Sequence, residues 1–153
     1  MAGSKEDSQM ADLLNEVTAD DLSRDQIQRR VEDWAQRIEK LYREIEEWLP
    51  AGYSAEQSRT KRMHEELMRE VRIPPRDLPI LKIVRDSQPV ATIEPRGLWI
   101  IGANGRLDLI SGQKHFVIVD AAESFHPPIW QIAPLNDRRK LDRFDRTKLL
   151  SAL

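Results

Sequence analysis

The sequence contains no cysteine, which excludes disulfides, thiolate catalysis and cysteine-ligated zinc together. Its three histidines, His64, His115 and His126, stand far apart without ligand spacing, so a histidine-built metal site is not expected. Long apolar runs are also missing. None approaches the roughly 18 residues needed to span a bilayer, and the opening MAGSKEDSQM is acidic and polar where a signal peptide would be basic and then apolar. The expectation is a soluble, cytoplasmic protein with no membrane partner and no cofactor.

What is present is a chain of 153 residues, 40% apolar and 33% charged, enough hydrophobic surface for one compact core with long solvated helical faces. The net charge of −2 hides a gradient. Residues 1–22 carry six acids against Lys5, whereas 137–148 carry six bases against three acids, so the two ends could attract each other, in one chain or between two chains, or else stand as ordinary solvated segments.

From Arg24 to Leu49 the apolar residues Ile27, Val31, Trp34, Ile38, Leu41, Ile45 and Trp48 alternate steps of four and three. That is a heptad seam, and a stripe this narrow over about three heptads predicts a coiled-coil-like contact. Ser23 is the expected N-cap and Pro50 the stop. Tryptophan at two seam positions suits an antiparallel contact or a docked domain better than a slim parallel dimer. The turn Pro50 to Ser54 and the capping-box pattern Ser54-Ala55-Glu56-Gln57 predict a second helix to about Val71, carrying Thr60, Met63, Leu67 and Val71. The two would form a helical hairpin, leaving the first turns of the long helix open to Met10–Val17 or to another molecule.

After the proline-marked connector Ile73–Pro79 the composition turns β-branched and aromatic. Strands are predicted at 80–85, 90–94, 98–101, 106–110, 115–119 and 129–132, joined by short connections as an antiparallel meander. The pair Asn104-Gly105 is the strongest turn signal, because both residues tolerate positive φ. A helix over 137–150 closes the reading. The fold class is α+β: an N-terminal helical hairpin with coiled-coil character, a small antiparallel sheet and a C-terminal helix. The segments are an acidic, partly flexible 1–22, the hairpin 23–72 and a β-rich domain 78–153.

Two carboxylates stand out in this β-rich part. Arg106-Leu107-Asp108 on one predicted strand, followed by a strand ending at Asp120, resembles the core of metal-dependent nucleases of the PD-(D/E)xK type. The resemblance implies a divalent metal held by Asp108 and Asp120, and a lysine two residues after the second acid to orient water. Here that position is Ala122, Lys114 precedes the strand, and the helix that should join the following strands has no room before Trp130. The simpler reading makes Arg106 and Asp108 outward residues alternating with Leu107 and Leu109.

Other constellations lack a component in the same way. The glycines of IIGANG have no following helix to align amides on a phosphate, and His115 opens a strand as an edge or packed residue. Arg139, Arg143 and Arg146 fall on one face of the predicted C-terminal helix and could touch phosphates, although Asp137, Asp142 and Asp145 weaken their field. Trp130, beside Pro127 and Pro128, suits either sheet packing or an anchor for a protein partner.

The best-organised feature is thus an assembly seam. The expected function is a non-enzymatic protein–protein interaction or assembly module, an accessory subunit or adaptor that binds a protein partner or another copy of itself. Its contacts would come from Ile27, Val31, Trp34, Ile38 and Leu41 with Trp130 on a second surface. The alternative is a nucleic-acid-associated protein, either a degenerate nuclease-like domain or a binder using Arg139, Arg143 and Arg146.

Overall fold

A computed structural model describes the backbone of residues 5–100 and 102–153 and the side chains of 23–100 and 102–153. The element order is α1 (Lys5–Trp48), β1 (Tyr53–Met63), α2 (Glu66–Glu70), β2 (Arg76–Arg85), β3 (Gln88–Ile100), β4 (Ala103–Ser111), β5 (Lys114–Asp120), β6 (Trp130–Pro134), β7 (Asp142–Arg143) and α3 (Arg146–Ala152). All seven strands form one antiparallel sheet in sequence order. This is the meander that the short connections demand, since adjacent antiparallel strands need only tight turns.

The long helix forms because nothing between Lys5 and Trp48 interrupts it, and it ends just before Pro50. It starts earlier than the sequence suggests: Ser23 lies inside α1 and is not its N-cap. The expectations of flexibility in 1–22 and of a contact through Met10–Val17 rest on side chains outside the described residues. On the seam, Val31, Trp34, Ile38, Leu41 and Ile45 are completely buried, with Ile27 and Trp48 partly so. Their partner is the sheet. They share one apolar cluster with Leu81, Ile83, Ile93, Leu107, Leu109, Ile118 and Ile132 from five strands. Tyr42 adds a polar anchor: its hydroxyl donates toward the carbonyls of Pro79 at 2.8 Å and Ile93 at 3.2 Å, and burial pushes its phenol above the ordinary range.

No helical hairpin is present among the described residues. The segment expected as its second arm is the edge strand β1, paired with β2 from Tyr53↔Arg85 to Met63↔Arg76, followed by only the short α2. The proposed stripe of Thr60, Met63, Leu67 and Val71 was too thin to compete. The strand satisfies its backbone on β2 while the seam of α1 is covered by larger apolar residues of the sheet. Met63 and Met68 reach the core, and Leu67 stays exposed.

Three further corrections follow from the ladder. The strands expected at 90–94 and 98–101 are one strand, β3, with a bulge between Pro95 and Gly97 that accommodates the proline, which lacks an amide hydrogen. Residue 101 lies outside the described residues. Asn104-Gly105 is not a turn: Ile100 pairs with Ala103, so the chain reverses between those two and Asn104 and Gly105 both sit inside β4. The helix expected over 137–150 is broken into β7 and the shorter α3, because Phe144 enters the core with its amide donated to the Trp130 carbonyl at 2.9 Å. Asp145 then caps α3 by accepting from the Lys148 amide at 3.0 Å.

Candidate protein-docking site

Arg30, Arg37 and Glu44 recur every seven residues beside the seam, at the flank where coiled coils place pairing charges. In this fold Arg37 is buried with the seam, 5% exposed. Its guanidinium donates to Asp33 at 2.6 Å, to Asp120 at 2.7 Å and to the His126 carbonyl. Asp120, at the end of β5, is fully buried. Its second oxygen accepts the amides of Ala122 at 3.0 Å and Ile129 at 2.9 Å, while Asn104 approaches from β4 at 3.5 Å. Asn104 in turn accepts from Arg30 at 2.9 Å, and Arg30 lies over Trp99 at 5.6 Å. Burial lowers the Arg30 guanidinium from its usual range, against the opposing fields of Asp33 and Glu65.

The consequence is local. Asp120 makes an Asx-type turn with Ala122 and reaches on to Ile129, whose carbonyl accepts the Ala121 amide at 2.8 Å. The nine residues 121–129 therefore form a compact loop with joined ends. Inside it the His126 amide donates to the Glu123 carbonyl at 3.2 Å, and Phe125 takes φ +66, a conformation costly for a residue with a side chain. Phe125 is 58% exposed and Ile129 55%. A buried ion pair thus fixes a loop that displays two large apolar side chains.

Beside the loop lies a groove of about 500 Å³, with walls from Trp48, Pro128, Trp130 and Phe144. Trp48 and Phe144 meet edge to face at 5.5 Å, and Trp130 packs on Trp34 at 6.0 Å, so the aromatic floor is held from below. The six-membered ring of Trp34 itself lies against Gly105: a Cβ added there would come within 2.3 Å of it.

Asp108 belongs to a different place. Leu107 and Leu109 pair with Ile118 and Phe116 toward α1, whereas Asp108 and Arg106 pair with Val117 and Val119 on the outer face. Asp120, two residues after Ile118, faces α1. Asp108 and Asp120 consequently lie on opposite faces of the sheet, and one metal cannot take both. No group of three His, Cys, Asp or Glu residues able to hold a metal occurs among the described residues. Asp108 points outward as expected of its strand parity, but it is only 1% exposed. Arg106 chelates it at 2.8 and 3.2 Å, His115 Nε2 lies 2.7 Å away and Arg96 3.5 Å away. Burial alone would raise its carboxyl, yet the hydrogen bonds and charges of Arg106 and His115 win and hold it below the usual range.

Of the residues expected to bind a partner, Ile27, Val31, Trp34, Ile38 and Leu41 lie against the chain's own sheet, and Trp130 is 8% exposed in the groove floor. The three arginines expected on one helical face are separated. Arg139 sits in a turn 3.7 Å from Asp137, Arg143 is on β7, and Arg146 opens α3 with its Nε donated to the Trp48 carbonyl at 3.0 Å. Sequence reasoning missed Arg37 and Phe125. The seven-residue recurrence of charges at the seam flank was a signal for the first. For the second, only a lone aromatic among polar residues and prolines was visible. No family model matches the chain, and no curated protein or solved structure matches it.

Proposed function

We propose that this chain is a non-enzymatic protein–protein interaction module, an accessory subunit or adaptor, and that it docks through the loop 121–129. The observation that supports this reading is the display of Phe125 and Ile129, each more than half exposed, on a loop fastened by the buried Arg37–Asp120 pair. Exposed aromatics cost little entropy when a partner covers them, and a loop fixed beforehand reduces the ordering that binding must supply. Between Ile27 and Trp48 the heptad seam is filled by the sheet, so the docking role passes to the surface that the β-strands and their loops present.

The test is affinity capture from the native host with the parent chain and with Phe125→Ser/Ile129→Ser, read by mass spectrometry beside thermal melts. Loss of a captured protein, about thirtyfold or more in affinity as for hot-spot residues, with an unchanged melt supports the reading. Identical capture by both chains overturns it.

A further inference from the structure

We infer that the loop and its neighbouring groove form a two-fold interface between copies of this chain, with Phe125 of each copy entering the groove of the other. This rests on the reading of the loop as a docking surface and names its occupant. Knob and groove share one short segment: Phe125 is the projecting residue, and Pro128 to Trp130 line the depression. A two-fold axis needs such an arrangement, because the same patch must offer both halves of the contact.

The knob does not fill its own groove. Arg37 holds the His126 carbonyl, and Pro127 and Pro128 restrict the backbone between Phe125 and the groove wall. Size agrees, since a cavity of about 150 Å³ already accepts a benzene ring and the groove offers about 500 Å³. Charge agrees as well. On the loop the exposed Glu123 stands two residues before Phe125, 3.6 Å from His126, and the groove lining carries Arg143 together with Glu44 and Asp145. In the two-fold arrangement the exposed Glu123 approaches Arg143 of the second copy, a pairing that fixes orientation.

The absence of cysteine makes the test direct. Sedimentation equilibrium of the full chain should show a concentration-dependent dimer, and Phe125→Ser should weaken it about thirtyfold or more while the thermal melt at concentrations too low for the dimer stays unchanged. Chains carrying Glu123→Cys and Arg143→Cys, mixed and oxidised, should give the mixed cross-link in excess of either like pair. A chain that remains monomeric at every concentration, a dimer indifferent to Phe125→Ser, or cross-links between like chains would overturn the inference. A monomeric chain whose Phe125→Ser/Ile129→Ser variant still loses a host protein sinks only the self-association. Equal host capture beside a Phe125-dependent dimer sinks only the docking of a different protein.

Discussion

The guanidinium of Arg37 and the carboxylate of Asp120, 83 residues apart in the chain, meet at 2.7 Å with side chains 5% and 0% exposed. The pair joins the middle of α1 to the last residue of β5, and its two members hold the loop 121–129 through the Ala122 and Ile129 amides and the His126 carbonyl. A buried ion pair contributes little net stability relative to apolar residues of similar volume, whereas breaking it is expensive. Its consequence here is position: it sets where Phe125 and Ile129 stand.

Asp120→Asn should therefore destabilise the fold by about 3–5 kcal/mol, because Arg37 loses its fully buried counter-charge. In a double-mutant cycle with Arg37→Met, urea melts should give a coupling of about 1–3 kcal/mol. Hydrogen exchange adds a local readout: the Ala122 and Ile129 amides, which Asp120 accepts, should lose protection before the core strands do. Additive single effects with those amides still protected would show that the pair does not hold the loop.

Gly105→Ala is expected to cost several kcal/mol, about 3 or more, from two sources acting together. The backbone there has φ +100, and the new Cβ would meet the Trp34 ring at 2.3 Å. Gly112→Ala is the control, since its φ of +59 carries backbone strain with nothing within 4 Å, and it should cost about 1 kcal/mol. Equal losses in denaturant titrations would remove the role of the Trp34 contact.

At Asp108 the folded carboxyl is held below its unfolded value despite burial, by Arg106 and His115. A depressed folded value means that its stabilisation is present above the unfolded pKa, about 3.9, and is lost as pH falls through the folded one. Asp108→Asn should cost about 1–3 kcal/mol near neutral pH, as for a buried charged hydrogen-bonding group. The gap to the parent chain should narrow below about pH 4. A gap unchanged down to pH 2 would show that the carboxylate is not ion-paired as described.

Divalent metal should do nothing. Asp108 and Asp120 occupy opposite faces of the sheet, so their repulsion is not relieved by one ion, and millimolar manganese or magnesium should leave the melting temperature of the parent chain and of Asp108→Ala unshifted. A manganese-dependent rise that Asp108→Ala abolishes would contradict the register of β4 and β5.

Local pattern by itself determined the long helix, its buried stripe from Val31 to Ile45, its stop at Pro50 and the positions of most strands. These follow from periods of 3.5 and 2 and from proline chemistry, which act over a few residues. It also placed Asp108 on the face opposite Leu107 and Leu109. Tertiary structure decided what covers each face. The stripe of α1 reads the same whether a second helix or a sheet lies on it, and only the pairing of β1 with β2 turned 53–63 from an expected helix into a strand. Asn104-Gly105 has the chemistry of a turn, yet the register of β3 and β4 and the ring of Trp34 place it inside a strand. Asp108 reads as a surface residue because nothing local shows that Arg96, Arg106 and His115 converge on it from three strands. Arg37 and Asp120 are the sharpest case: Arg37 alone looks like a solvated helix charge and Asp120 like the polar end of a strand or half of a metal site, and only the packing of α1 against the end of β5 buries both as a pair.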